Sequence, residues 1–188
     1  ISMTNAQDFS GSINVGYLDN DENSWWMQNN NFGLEFYSSY HQTKFEIKKT
    51  NYEVKFNIST SLNNFDQVVV NESYVKIPIK NSLIKLGRYY RDFSMYLNDQ
   101  LSSGSLLISN NAQAMPKIGI VSQKKIKRNQ NITFDLGIAH GIFEKNTVYT
   151  SSPFLHEKFI YMNFKNSNTL YSIGFVHEAI WGGEINSE

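Results

Sequence analysis

The sequence predicts an all-β protein, an antiparallel transmembrane β-barrel whose strands follow one another as a meander. Three observations predict this class. Apolar and polar residues alternate along several segments, Asn-rich clusters separate those segments, and several segments reach the ~9–11 residues of a tilted spanning strand. Because strands of soluble proteins average ~5–6 residues, the segment length favours a membrane barrel over a soluble sandwich or barrel.

Two segments show the alternation without interruption. In 52–58 every second residue is aromatic or β-branched, and in 132–140 apolar residues alternate with polar or small ones. Successive side chains of a strand point to opposite faces, so each segment predicts one apolar face and one polar or small face. The small residues of 132–141 suit a crowded barrel lumen. Further candidate strands are 9–18, 32–41, 44–49, 72–80, 82–89, 103–109, 117–123, 156–165 and 169–178.

The segments between these candidates are typical of turns, because Asn adopts left-handed backbone geometry and caps its own backbone. The pattern predicts about nine to eleven strands. Pro116 is predicted to mark a break between strands, since Pro is disfavoured in a paired central strand. Aromatic residues at the strand ends suit the two girdles of a membrane barrel. They are Tyr17, Trp25, Trp26, Tyr37, Tyr40, Tyr89, Tyr90, Tyr149 and Trp181.

Composition argues against several classes of function. Lys and Arg number 17, as do Asp and Glu, so no basic excess points to a nucleic-acid partner. No apolar run approaches the ~18 residues of a membrane helix. The four His residues show neither the H-x-H nor the H-x-x-x-H spacing of metal ligands. We therefore expect no metal, no cofactor and no nucleic acid.

The segment from Gly87 to Gly183 carries several short motifs in a defined order. They are Gly87-Arg88; Ser103-Gly104-Ser105-Leu106-Leu107 with Asn111-Ala112 and Met115-Pro116; Gly141 to Glu144; Leu155-His156 with Lys158; and Trp181-Gly182-Gly183. In this order and spacing the segment resembles the capsule-assembly Wzi family. Each motif alone is common, and their combination carries the resemblance. Gln113 and Ala114 stand where family members commonly carry Arg-Pro.

The resemblance implies a lectin-like outer-membrane protein that helps attach capsular polysaccharide, or another surface glycan, to the cell without catalysis. Its other implied partners are outer-membrane lipid, lipopolysaccharide and the barrel-insertion machinery, and the barrel is expected to be monomeric. It also implies a closed barrel of roughly eighteen strands. Residues 1–188 would then be a single partial barrel domain, with further strands after 188. Because open strand edges cost several kcal/mol per unpaired group in lipid, we expect this part alone not to be a stable membrane protein.

Two loop regions supply candidates for glycan contact. Trp25 and Trp26 lie in the polar segment 19–31. They would form either an aromatic platform for a sugar or an interfacial pair beside an Asn-rich turn. Asn111 belongs to a segment that we expect to form an irregular turn or an inward-folded loop.

Charged residues near strand ends supply the remaining candidates. Arg88, Arg91 and Asp92 follow one another closely, and they would either hold an acidic sugar through bidentate hydrogen bonds or form an ion pair in the lumen. His156 and Lys158 share one face of a strand. If that face is luminal, we expect them to join Glu144 or Glu178 in a network that fills the barrel. Trp181 is a further lumen-lining or glycan-binding candidate.

Two alternative functions stay open. A general porin would share every strand-level feature, with Arg88, Asp92 and Lys158 as candidate constriction residues. An outer-membrane lipid hydrolase would need a Ser–His pair, for which Ser172 with His140 or His177 is the candidate. The sequence contains no G-x-S-x-G motif. We therefore predict a protein without catalytic residues.

Overall fold

A computed structural model of the protein describes residues 8–17, 39–49, 51–61, 68–90, 113–144 and 149–185. Within these ranges every regular element is a β-strand. In the same part of the chain, no helix is long and apolar enough to cross a membrane. The chain divides into two compact units. The first comprises Ile1–Val75 with Gly87–Ala114, and the second comprises Lys76–Leu86 with Met115–Glu188.

The first unit contains an antiparallel meander of three strands in chain order. They are β1 (Asp8–Tyr17), β2 (Ser39–Lys49) and β3 (Tyr52–Ser61). The register runs from Asp8 opposite Lys48 to Tyr17 opposite Ser39, and from Tyr40 opposite Ser61 to Lys49 opposite Tyr52. β2 ends at Lys49 and β3 begins at Tyr52, and these two residues lie opposite each other at the end of the pair.

A β-bulge separates the next two strands. β4 (Val68–Val70) pairs with β3, and β5 (Ser73–Ile79) begins after two further residues. The backbone N–H of Asn71 donates to the carbonyl oxygen of Asn57 at 2.8 Å, and the N–H of Asn57 donates to Oγ of Ser73 at 3.0 Å. Asn71 and Glu72 therefore lie opposite one residue of β3, which defines the bulge.

A tight turn joins β5 to the adjacent strand β6 (Ser82–Tyr89), and this hairpin contributes to both units. The turn consists of Lys80 and Asn81, and Lys80 has a φ of 54°. This left-handed conformation costs a residue with a Cβ about 1 kcal/mol or more. In the second unit, Oγ atoms of Ser82 and Ser122 lie 2.6 Å apart, which links β6 to the following sheet.

The second unit contains four long antiparallel strands in the order β7-β8-β10-β11. They are β7 (Met115–Ile126), β8 (Asn129–Ile142), β10 (Phe154–Lys165) and β11 (Leu170–Trp181). Two short strands, β9 (Tyr149–Ser151) and β12 (Glu184–Ile185), form a separate pair. Gly182 and Gly183 both have positive φ, so the Trp-Gly-Gly motif turns the chain from β11 into β12.

The predicted all-β antiparallel meander is confirmed, and two details of the strand prediction are wrong. Segments 32–41 and 44–49 were expected as two strands, but β2 runs without a break through Gln42 and Thr43. Both residues pair on each side of the strand, so their polarity does not end it. Pro116 was expected between strands but is the second residue of β7. The pairing of β7 with β8 begins only at Lys117, so the missing N–H of Pro116 is not needed there. The predicted strand 103–109 lies outside the described residues.

Burial is distributed in an unusual way over the two faces of these strands. Large apolar side chains are the exposed ones; Ile13 is 69%, Ile173 68% and Phe175 66% exposed. Polar side chains are the buried ones; Asp135 is 2% and Glu157 4% exposed. Among the described residues, seven polar or charged side chains are buried, whereas the buried apolar ones are Tyr89, Ala114, Leu155 and Pro153. In each unit we call the exposed side the apolar face and the buried side the polar face.

Candidate functional site

The polar face of the second unit contains a buried ion pair. Nζ of Lys117 lies 3.3 Å from Oε2 of Glu157, and the two side chains are only 4% and 6% exposed. Lys117 belongs to β7 and Glu157 to β10, with β8 between them. The residues of β8 beneath this contact are Ala139 and Gly141. Because these residues are small, the Lys117 side chain can reach across β8, a distance of about 10 Å between strand axes.

A chain of hydrogen bonds crosses all four strands on the same face. Nε2 of Gln123 on β7 donates to Oδ1 of Asp135 on β8 at 2.9 Å. Nδ2 of Asn163 on β10 donates to the other oxygen of Asp135. Oγ of Ser172 on β11 donates to Oδ1 of Asn163 at 2.6 Å. Each amide therefore has its oxygen and nitrogen assigned by its neighbours, and the Asp135 carboxylate accepts at both oxygens.

Aromatic rings lie on glycines between the ion pair and this hydrogen-bond chain. Phe159 is directly opposite Gly137, and Tyr161 is directly opposite Gly174. The two rings also contact one another, with centroids 5.8 Å apart. The glycines leave room for the rings to lie close to the backbone. The polar face is thus filled by side chains rather than by an apolar core.

The first unit repeats this arrangement with different residues. Oη of Tyr74 donates to Oε1 of Glu53 at 2.6 Å, and Glu53 is 8% exposed. Lys55 forms an ion pair with Glu72, and its Nζ lies 5.8 Å from the Tyr74 ring centroid. A second group of polar side chains connects the strands near the bulge. Asn14 donates to Gln42, and Gln42 and Asn71 both donate to Oγ of Ser59, at 3.3, 3.4 and 2.6 Å.

The apolar face of the second unit carries a group of imidazole and indole rings at one end. The centroids of His140 and His156 are 4.7 Å apart, and those of His156 and His177 are 6.1 Å apart. Trp181 lies 6.0 Å from His140 and 6.2 Å from His156, and it stacks on Phe154 at 5.9 Å. Sequence spacing did not indicate this group, because its members come from three strands. Within the described ranges, no three acidic or His side chains are arranged as metal ligands.

Arg88 and its neighbours close one end of the first unit. Nη1 of Arg88 donates to the carbonyl oxygen of Ala114 at 3.0 Å, and Ala114 is 2% exposed. Tyr90 is half-buried here, and burial together with the negative charge of Glu72 raises the pKa of Tyr90 to about 12. The Arg88 guanidinium thus has a backbone partner at Ala114. Its expected neighbours Arg91 and Asp92 lie outside the described residues.

The remaining predicted site residues are separated from one another. His156 and Lys158 share a face as expected, but it is the apolar face. Glu178 lies opposite Glu157 on the polar face, so the expected network of His156 and Lys158 with Glu178 is wrong. Glu144 is exposed two residues after β8 ends.

Three further predictions depend on position in the strands. Trp181 ends β11 and is 45% exposed. Tyr89 was also expected in a girdle, but it is 3% exposed and packs edge-on against Tyr74. Ser172 lies on the polar face with Asn163, whereas His140 and His177 lie on the apolar face, so this Ser–His pair does not form. Trp25, Trp26 and Asn111 lie outside the described residues.

Apart from Ser172, the residues that form the networks of the second unit were not singled out from the sequence. Lys117, Glu157, Gln123, Asn163 and Ser172 all alternate with apolar residues, so the period of two already indicates their shared face. Their partners depend on the register between strands, which alternation does not specify. No family model, curated protein or solved structure matches this chain.

Proposed function

We propose that this chain is part of an outer-membrane β-barrel that holds capsular polysaccharide, or another surface glycan, at the cell surface. The observation that carries the membrane part of this proposal is the exposure of apolar side chains together with the burial of charged ones. Soluble proteins bury Ile and Phe and keep Asp, Glu and Lys in water. A barrel in lipid has the opposite pattern, with apolar residues outward and polar residues in the lumen.

A soluble β-sandwich is less consistent with exposed apolar side chains and buried charged ones. Its two sheets would pack their apolar faces together and leave the polar faces in water. Here Glu53, Asp135 and Glu157 are buried, while Ile173 and Phe175 are exposed. Leaving an Ile or Phe in water forfeits about 1.5–3 kcal/mol per side chain. Contact with lipid chains recovers this free energy, so the bilayer is the better surrounding for the apolar face.

The strand lengths also support a membrane-spanning role. β10 and β11 have 12 residues each, and β8 has 14. At ~3.3 Å per residue, 12 residues extend about 40 Å, and a tilt of ~40° reduces the height to about 30 Å. That height covers the ~25 Å apolar band of an outer-membrane barrel. The hydrogen-bond chain from Gln123 to Ser172 would then line the lumen.

The glycan part of the proposal is supported by the order of motifs from Gly87 to Gly183. A sugar-binding barrel presents aromatic and planar polar side chains in its loops, and Trp25 with Trp26 remains the aromatic candidate. Glycan attachment would thus be a property of loops carried on the barrel. The polar face would fill and stiffen the lumen.

The charges of the polar face favour a second candidate, a solute channel. Lys117, Glu157 and Asp135 of the second unit would place fixed charges along a lumen, as the constriction of a porin does. Conductance across a planar bilayer separates the two candidates. A lectin filled by the buried ion pair and the aromatic rings would conduct little, whereas a porin would pass ions steadily.

The test uses the complete reading frame, expressed with a signal peptide. We expect outer-membrane fractionation and a difference in gel migration between boiled and unboiled samples. Ile173→Arg places a cation on the apolar face, which costs about 2–4 kcal/mol near the bilayer centre, and it should reduce the heat-modifiable form. Ser167→Arg, in the exposed turn after β10, is the matched control. A soluble product with no gel shift would refute the barrel.

Capsule retention is the second readout. A deletion strain complemented with the complete gene should keep its capsule on the cell surface. Replacement of Trp25 and Trp26 by Ala should weaken glycan binding in detergent while the gel shift persists. Capsule that stays attached in the deletion strain would argue against the attachment role and leave the barrel proposal intact.

A further inference from the structure

A small group of cationic and aromatic side chains interrupts the apolar face of the second unit. We call it the His–Lys patch, and it consists of His140, His156, Lys158, His177 and Trp181. His140 lies opposite His156, and Lys158 lies opposite His177. The His156 ring lies 4.7 to 6.2 Å, between centroids, from the rings of His140, His177 and Trp181, and His140 and Trp181 are 6.0 Å apart. Three neighbouring strands therefore bring four basic side chains, with the indole of Trp181, to one place on a surface that is otherwise apolar.

Within the four long strands of the second unit, no carboxylate lies on the same face as the patch. Along β7, β8, β10 and β11 as the structure describes them, the carboxylates are Asp135, Glu157 and Glu178. All three share the polar face, on the other side of the sheet. The register therefore separates the acidic groups from Lys158, and the patch is positive when its imidazoles are protonated. A cation on an apolar surface is costly unless an anion or water reaches it.

Part of the hydrogen-bonding capacity of the patch is unused. Nδ1 of His177 is buried and has no hydrogen-bond partner among the described residues. Lys158 is exposed directly opposite it. An acceptor oxygen reaches Nδ1 only if the His177 ring turns outward toward Lys158; it would then accept from both side chains when the imidazole carries its proton there. A tetrahedral phosphate offers several such oxygens.

The surroundings of the patch are apolar along the strand in both directions. Ile142 and Phe154 lie on one side and Ile160 and Phe175 on the other, and all four are exposed. A ligand that fits must therefore join an anionic head to hydrocarbon. Trp181, stacked on Phe154, is a residue type that favours the water–lipid interface, where such a head would lie.

We propose that the His–Lys patch binds the phosphate headgroup of an anionic membrane lipid, an inference that rests on the proposed membrane location. Lys158 supplies the permanent charge, and the imidazoles of His156 and His177 supply hydrogen bonds beside it. The acyl chains of the same lipid cover Ile160 and Phe175. The patch thus holds one lipid in a defined position against β8, β10 and β11.

Trp181 is a natural reporter for this site. The complete protein, with every Trp except Trp181 replaced by Phe, is reconstituted in vesicles of phosphatidylcholine and phosphatidylglycerol. Each lipid in turn carries brominated acyl chains, which quench nearby indole fluorescence. We expect brominated phosphatidylglycerol to quench more strongly than its share of the vesicle predicts. Because a cation near a membrane surface contributes ~1 kcal/mol, Lys158→Gln should reduce the preference about five-fold.

Lys124→Gln is the matched control, since Lys124 is exposed on the same face of β7 but lies opposite Phe134, away from the patch. It should leave the preference unchanged. Equal quenching by the two lipids, or equal loss in both variants, would overturn the headgroup site while the membrane location stands. Absence of quenching by either lipid would show that this face does not contact lipid, and both proposals would fall together.

Discussion

The ring of Phe159 lies directly on Gly137 of the neighbouring strand. A Cβ added to Gly137 would come within 2.1 Å of Cε1 of Phe159, and a Cβ added to Gly174 would come within 2.1 Å of Cδ1 of Tyr161. Such distances are shorter than any real contact of a Cβ, so a side chain at either glycine must displace a ring. These two pairs fill the space between the Lys117–Glu157 ion pair and the chain of hydrogen bonds.

We predict that Gly137→Ala destabilises the protein by about 1–3 kcal/mol, because the methyl group overpacks against Phe159. The free energy of unfolding can be measured by urea titration of the complete protein in detergent. Gly11→Ala is the control, since its nearest neighbour would be the Lys44 carbonyl oxygen at 3.7 Å, an ordinary contact. If the two variants unfolded at the same urea concentration, the Phe159 ring would be able to move aside without loss of stability.

The ion pair of Lys117 and Glu157 gives a second prediction. Loss of one partner leaves a buried charge uncompensated, so Glu157→Gln should destabilise by about 3–5 kcal/mol. The double replacement Lys117→Met with Glu157→Leu removes both charges and should recover most of that loss. Heat stability of the folded form on a gel distinguishes the variants. If the double variant were no more stable than Glu157→Gln, Lys117 and Glu157 would be stabilising the fold through partners other than each other.

The hydrogen bonds of Asp135 can be tested by exchange of residues. Asp135→Asn presents an amide in place of one of two accepting oxygens, which should cost about 1–3 kcal/mol. The added change Asn163→Asp restores a donor facing an acceptor, and the carboxylate at 163 can still accept from Ser172. We expect this double variant to unfold near the wild-type urea concentration. No recovery would contradict the proposed direction of the hydrogen bonds.

Lys80 provides a stabilising prediction. Its φ of 54° is readily adopted by Gly but strained for a residue with a Cβ. Lys80→Gly should raise the free energy of unfolding by about 1 kcal/mol. Lys80→Ala removes the same charge and keeps the Cβ, so it should give no such gain. Similar stabilisation by both would attribute the effect to charge instead of backbone geometry.

Substitution of Arg88 can show whether this residue has a structural role or binds the glycan. Its guanidinium donates to the Ala114 carbonyl, and a hydrogen bond from a charged group contributes about 1.5–3 kcal/mol. Arg88→Ala should therefore reduce the amount of folded protein and the surface-bound capsule together, and Arg88→Lys should restore part of both. Capsule loss with an unchanged amount of folded protein would instead identify Arg88 as a glycan contact.

Alternation predicted the strands and their faces but not their contacts. The strands at 132–140 and 156–165 were found because apolar residues recur at every second position, and both extend by two or more residues in the structure. The same pattern placed Asp135 on the non-apolar face. The alternation did not indicate that Asp135 contacts Asn163, because that contact depends on the register between β8 and β10.

The aromatic and His residues were harder to predict. Tyr89 has the position of a girdle residue in the sequence, yet it packs inside against Tyr74 because β5 and β6 are neighbours. His140, His156 and His177 are far apart in the chain, and only the register of three strands brings their rings together. Residue spacing within one strand holds no information about either arrangement.

The bulge at Asn71 and Glu72 corrects the phase of the alternation. Before it, the exposed positions are the even-numbered Val68 and Val70; after it, they are odd-numbered, as at Val75 and Ile77. Deletion of one of the two bulge residues would therefore leave a regular ladder in which Val75 and Ile77 keep their exposed positions, whereas a deletion within β5 would turn over every side chain that follows it. Single-residue length changes are thus tolerable at the bulge but not within the paired part of β5.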